Sequence, residues 1–261
     1  MRTTALLTLA LLAASACSPP LFARSRVQLA VIDRDSGQWL PEYRQRGDTW
    51  IPGTPGHRYA VRLTNTSSER MLVVLSVDGV NAVSGETADL NQAGYVLSPG
   101  QSTDINGWRK SLDDVAQFVF TDFPDSYAAR TGRPDNVGVI GIAVFEEARP
   151  PVYDAPIAAQ DSMPAEAERK SEAAPAAASM DRSSEAGAAN QQIGTGHGAR
   201  EYARVERTEF LRSSARPVQL TQLRYDDSRA LAARGIIPWQ PYVDGPQAFP
   251  TGFVADPPPR W

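Results

Sequence analysis

The sequence predicts an all-β protein, an antiparallel β-sandwich with short helices and a long disordered insertion. Three observations lead there. Between about residues 26 and 147, short segments alternate apolar and polar side chains with period two, and turn clusters separate them. A sustained apolar stripe of helical period is missing from the same region. From Ala148 to Gln192, Pro, Ala, Ser, Glu and Gln replace large apolar residues. Such a stretch cannot bury enough surface to offset its ordering entropy.

Each element follows from its local pattern. "RVQLAVID" puts Val27, Leu29 and Val31 on one face, and "HRYAVRLTN" does the same with Tyr59, Val61 and Leu63. "NTSSER" is a turn cluster, and the apolar "RMLVVLSVDG" ends at Asp78-Gly79. His57–Asn65 and Arg70–Val77 are therefore expected to form an antiparallel hairpin. "GYVLSPGQSTDING" reads as two short strands around Pro99-Gly100, and "AQFVFTD" points Ala116, Phe118 and Phe120 one way. "VGVIGIAVFEE" has the β-branched content of a central strand buried on both faces. "SLDDVA" and "DSYAAR" are local helix candidates. Beyond Ile193, "ARVERTEF" and "PVQLTQLRYD" are strand candidates. "SRALAARG" is a short helix, with Ser228 as N-cap and Gly235 as stop. The sum is immunoglobulin-like in general shape, but without the Cys…Trp…Cys pattern of antibody domains.

Two strands and a helical turn make a thin core on their own. Residues 193–237 are thus expected to dock on the sandwich of 26–147, making 148–192 an insertion within one domain. The tail, 238–261, combines frequent prolines with Trp239, Tyr242, Phe249, Phe253 and Trp261. It is expected to lie extended on the sandwich or to await a partner.

The N-terminus, "MRTTALLTLALLAASACSPP", reads as a signal peptide over residues 1–17, with Arg2 ahead of an apolar run from Ala5 to Ala14. That run is too short to span a bilayer, which needs roughly 20 apolar residues. Cys17 is the single cysteine and follows the apolar run directly, as in a bacterial lipobox. The expectation is a lipid on Cys17 and a tether to the periplasmic face of a membrane; a soluble periplasmic or secreted protein is the alternative. A net charge of −4 with interspersed signs offers no track for a phosphate backbone, so nucleic acid is not expected as a partner.

"IGTGHGAREY", residues 193–202, satisfies the permissive dinucleotide spacing G-x-G-x-x-A. That motif works only between a strand and a helix, and here a low-complexity stretch precedes it, so nucleotide binding is set aside. A bend re-entering the fold, its glycines taking positive φ, is the plainer reading. The two histidines, His57 and His197, both sit in Gly/Thr-rich surroundings. Brought together, they are catalytic candidates for a His-based hydrolase, or with Glu201 a zinc site. "DRDSG", residues 33–37, lacks the oxygen count of a calcium loop and reads as a β-turn; "RGD" at 46–48 is a chance tripeptide. Asp78, Asn81, Trp108 and Arg109, in polar–aromatic loops, are ligand-binding candidates. No nucleophile elbow, H-E-x-x-H or P-loop occurs, and no cofactor is expected.

"SVDGVNAVSG", "GYVLSPGQSTDINGWRKS", "VFTDFPDSYAARTGRPDNVGVIGIAVFEE" and "IGTGHGAREY" together resemble a group of exported proteobacterial proteins and lipoproteins. The resemblance covers about 57–147 and 193–237, implies that these two parts belong together, and carries no activity to transfer. The expected function is that of a membrane-tethered envelope lipoprotein, a non-enzymatic binding or assembly module for an envelope protein or glycan. A metal-dependent or His-based hydrolase at His57 and His197 is the alternative.

Overall fold

The alternating segments pair into two sheets packed face to face. The computed structural model describes residues 25–149 and 191–238. Among these, the strands in chain order are β1 (Val27–Asp33), β2 (Tyr43–Gln45), β3 (Asp48–Gly53), β4 (Arg58–Asn65), β5 (Met71–Val77), β6 (Val80–Asn81) and β7 (Tyr95–Leu97). They continue as β8 (Ser102–Ile105), β9 (Gly107–Arg109), β10 (Asp114–Asp122), β11 (Val139–Glu146), β12 (Ile193–Tyr202) and β13 (Gln219–Asp227). The helices are α1 (Tyr127–Arg130) and α2 (Ser228–Ala233). One sheet runs β1-β4-β10-β12, with β8 on β4 and β9 on β10. The other runs β2-β3-β13-β11-β5-β6, with β7 on β5. Only β13 and β3 pair in parallel among the described strands.

The core lies between the sheets. Val27, Leu29, Val31, Tyr59, Val61, Leu63, Phe118 and Phe120 come from the first sheet. They meet Ile51, Met71, Val73, Leu75, Val77, Ile140, Ile142, Val144, Leu223 and Tyr225 from the second. A large apolar side chain taken fully from water contributes about 1.5–3 kcal/mol, so this layer is the main source of stability. Residues past the interruption supply one strand to each sheet: β12 pairs along β10, and β13 lies between β3 and β11.

The expected hairpin of His57–Asn65 with Arg70–Val77 does not form. β4 and β5 belong to opposite sheets, and so do β7 and β8. Asn65, fully buried, explains both crossings. Its amide donates to the carbonyls of Glu69, Leu97 and Ser98, while its Oδ1 accepts from the Ser67 N–H and hydroxyl. One side chain thereby pins two corners where the chain changes sheet.

Other local differences have equally local causes. "SLDDVA" is a turn and a strand start, because Ser111 Oγ accepts from the N–H groups of Asp113 and Asp114. "ARVERTEF" follows the molecule without joining a ladder: Ala203 and Val205 donate to loop carbonyls of Asp113 and Leu112. The cap of α2 is Asp227, one residue before the expected Ser228; its carboxylate accepts from the N–H groups of Arg229 and Ala230. Asp33–Gly37 is a turn as expected, and "RGD" contributes the two-residue loop between paired Gln45 and Asp48. The signal segment with Cys17, residues 150–190 of the interruption and the tail from Trp239 lie outside the described residues. No helix among the described residues is long and apolar enough to cross a membrane.

"IGTGHGAREY" is not a bend. It is β12 itself, and its glycines serve close approach, since none of them takes a positive φ. A Cβ on Gly194 would fall 2.5 Å from Ser126 Cβ and 2.6 Å from Val137 Cγ1; one on Gly198 would fall 2.7 Å from Val119 Cγ2. At Gly141 in β11, by contrast, the nearest atoms to an added Cβ are 3.8 Å away. Gly194→Ala is therefore expected to lose about 1–3 kcal/mol by overpacking, whereas Gly141→Ala should stay within about 0.5 kcal/mol of the parent. Urea unfolding of the two variants checks the contrast.

Candidate functional site

The loop ahead of β4 carries His57 to the end of β1. There Asp33 Oδ1 accepts from the Asp35 and Ser36 N–H groups at 2.9 and 3.0 Å, and Asp33 Oδ2 lies 2.7 Å from His57 Nδ1. The Asp35 carboxylate accepts from the Arg58 N–H at 2.6 Å and from its guanidinium at 2.9 and 2.5 Å. Asp33, Asp35 and His57 place one donor atom each within 4.8 Å of one another. Burial raises the Asp33 carboxyl, but the Ser36 and Asp35 N–H groups and His57 outweigh it, leaving it below its usual value. Asp35 is lowered by its bonds to Arg58. A carboxylate that holds one ring nitrogen of an imidazole sets the tautomer and leaves the second nitrogen for proton transfer or a ligand. The His57 side chain is 39% exposed, so that nitrogen is within reach of solvent.

His197 and Glu201 do not join this group. His197 lies in β12 opposite Phe118, exposed, with its ring centroid 5.7 Å from that of Tyr127. Glu201 is held by four donors: Arg34 in a bidentate pair at 2.7 and 3.0 Å, Asn106 at 2.9 Å and Gln117 at 2.6 Å. Burial pushes its carboxyl up, and these donors more than reverse the shift. The proposed zinc set of His57, His197 and Glu201 is thus not assembled. Among the described residues, the acid–imidazole cluster is Asp33, Asp35 and His57 instead.

The four loop candidates are also drawn into the fold. Asn81 Oδ1 accepts from the Val83 and Ser84 N–H groups, and its amide donates to the Ala93 carbonyl. Trp108 packs edge-on to Phe118 with centroids 4.9 Å apart and against Tyr127 at 5.1 Å. Arg109 donates to the carbonyls of Leu112 and Ala203. Asp78 is fully buried, with φ +54°. Its Oδ1 accepts from the Gly138 N–H at 2.9 Å and the Tyr225 hydroxyl at 2.6 Å, and its Oδ2 from the Thr195 N–H at 2.7 Å. Since Tyr225 donates to Asp78, Thr195 donates to Tyr225 at 2.6 Å and receives from Tyr59 at 2.6 Å. Burial raises the Asp78 carboxyl to about 6 against the lowering pull of these donors.

A trough that the sequence reading missed lies on the outer face of the second sheet. Two cross-strand rows form its floor, Val74–Ala143–Leu220 and Ser76–Gly141–Gln222, and Ala88, Asp89 and Leu90 form one wall. It encloses about 270 Å³. Leu220 is 67% and Leu90 41% exposed at its rim. The available sign was Gly141 inside a β-branched strand, a placement that marks close approach by another backbone or a ligand. Beside this geometry, no family profile, curated protein or solved structure matches the chain.

Asp78→Ala leaves three buried donors without an acceptor and is expected to cost about 3–5 kcal/mol by urea unfolding. The pH dependence has a definite sign. A buried acid held at about 6 keeps its proton more tightly folded than unfolded, where its value is near 3.8. Its contribution is complete below the unfolded value and is lost as pH rises through the folded one. The stability advantage of the parent over Asp78→Asn should therefore shrink between about pH 4 and pH 7. Asp33 and Glu201, whose values are lowered, act in the opposite sense but equally in both proteins.

Proposed function

We propose that this protein is a non-enzymatic binding module of a bacterial envelope, tethered to a membrane by a lipid on Cys17, whose trough holds an extended segment of a partner protein. The observation that carries the reading is Leu220, 67% exposed on the outer face of the second sheet in the row beside Gly141. A soluble single-domain protein has little reason to present such a surface unless something covers it. The lining mixes apolar Val74, Leu90 and Leu220 with polar Ser76, Thr221 and Gln222 and holds no aromatic platform on which a sugar ring could stack, so a polypeptide suits it better than a glycan. The candidate acids and amides support a structural role, since Asp78, Asn81 and Glu201 are bonded within the fold. The tether rests on the single cysteine behind an apolar run.

The hydrolytic reading retains one specific observation, the 2.7 Å contact of His57 with Asp33. The two readings part in the cell. Mass spectrometry of the mature N-terminus should find acylated Cys17. A photo-crosslinker replacing Leu220 should give one discrete adduct that His57→Ala leaves intact. Cleavage without acyl mass removes the tether; failure to crosslink, with a phenotype that follows His57→Ala instead, removes the binding reading.

A further inference from the structure

We infer that the outer face of the first sheet carries a second binding site, a platform centred on Trp39 that stacks one ring of a neutral oligosaccharide. It lies on the side of the sandwich opposite the trough and does not depend on how the trough is read. Three observations carry the inference.

The first is a large ring held outward. Trp39 forms an antiparallel bridge with Ile32. Flanking bonds, from the Asp33 N–H to the Gln38 carbonyl and from the Leu40 N–H to the Val31 carbonyl, fix its backbone along the edge of β1. Bridged residues share a face, and Ile32 alternates with the buried Val31 and Asp33, so the indole stands on the outer face. Trp39 is 55% exposed. Tryptophan is highly buried on average, so a ring fixed in water has a reason to be there.

The second is that the sheet sets the ring's orientation. Ala30 of β1, Arg62 of β4 and Asp104 of β8 form one cross-strand row beside it. The Arg62 guanidinium carbon lies over the indole, 4.9 Å from the ring centroid. Its Nε and Nη2 donate to the two oxygens of Asp104, both at 2.5 Å. A planar guanidinium clamped in this bidentate way orders the ring that rests on it. Arg62 covers one face of the indole and leaves the other for a ligand, which then meets a platform already ordered.

The third is the chemistry around the ring. Charges cancel there: Arg62 is paired with Asp104 and, further along the outer face of β4, Arg58 with Asp35. An anion would meet Asp104 and a cation Arg62, so a ligand without net charge suits the site. The groups left over serve hydroxyls. They are the further lone pairs of the Asp104 carboxylate, the Thr64 and Ser102 hydroxyls 2.9 Å apart in the next row, and the amide of exposed Gln28 in that same row. A sugar ring offers weakly positive C–H groups to the negative face of an indole and hydroxyls, both donors and acceptors, around its edge. A proline-rich peptide would stack on the ring too, but its prolines lack the N–H groups that Asp104 accepts.

Calorimetric titration of the whole protein with neutral hexasaccharides of α-linked glucose, β-linked glucose and β-linked N-acetylglucosamine tests the inference. At least one should bind. Trp39→Ala should weaken it by more than about tenfold, and Trp39→Phe, which keeps a ring, by less. Leu211→Ala, which trims an exposed apolar residue elsewhere, should leave it unchanged. In the parent, the sugar at about ten times its Kd should slow oxidation of Trp39 by N-bromosuccinimide about tenfold, read by mass spectrometry, without slowing that of Trp50. Failure of all three sugars to bind overturns the inference, and so does binding that leaves Trp39 unprotected or that Trp39→Ala does not weaken. Tighter binding of the anionic hexagalacturonate, or binding of a proline-rich peptide in place of every sugar, overturns it too. Absence of sugar binding together with an intact Leu220 crosslink in cells would remove this inference and leave the proposed function standing.

Discussion

A buried carboxylate governs how this chain closes on itself. Asp78 sits just after β5, and its acceptors reach Gly138 at the entrance to β11, Thr195 in β12 and Tyr225 in β13. One of these partners precedes residues 150–190 in the chain, and two follow them. An ionised group without solvent is tolerated only when its lone pairs are filled, so each strand must arrive in one register for the others to be satisfied. The hydroxyl relay extends the demand to Tyr59 in the opposite sheet, whose ring stacks on Phe120 with centroids 4.2 Å apart. A slip of β12 by one residue would turn Thr195 outward and break the relay at its centre. Hydrophobic burial supplies most of the stability; this network selects the pairing that burial alone would leave loosely specified.

The same logic recurs wherever the chain passes between sheets. Asn65 holds two corners, and Asn81 shapes the loop after β6. Gln219 in β13 accepts from the Arg26 and Val27 N–H groups and donates to the Val27 carbonyl, tying the second sheet to the edge of β1. Glu201 gathers Arg34, Asn106 and Gln117 from three separate segments. Polar side chains at the rims thus act as staples whose bonds run inward. A surface for a partner then has to come from somewhere other than these rims, and the outer face of the second sheet offers one, with Leu220 and Leu90 exposed beside Gly141.

Period-two alternation made the strands legible, because burial of one face leaves its mark on every second residue. The inward faces of β1, β4 and β10 follow that pattern, and the two-sided burial of β11 was visible in its β-branched content. Alternation says nothing about which sheet a strand joins. β4 and β5 look like a hairpin from the turn cluster between them, but they join different sheets, and the bonds of Asn65 to Ser67 and Glu69 hold the corner between them. The site candidates were hidden for a related reason. Asp78 was singled out as a polar residue in a loop, but its donors come from residues up to 147 positions away. Asp33, which does hold His57, was read simply as part of a turn.

Glycine marks the limit of local reading most clearly. Gly194, Gly198 and Gly141 are all extended, yet they answer to different constraints. At the first two, neighbouring atoms occupy the space of a Cβ, so the fold excludes any larger residue. At Gly141 the space is vacant and the backbone unremarkable. A central strand gains packing area and loses chain entropy when glycine is replaced, so the fold alone would favour a side chain there. Ala143, two residues along on the same face, is packed beneath Phe210, so the ground that stays open beside Gly141 is the side toward Gln222 and Leu220 of β13, a short stretch running with the strand.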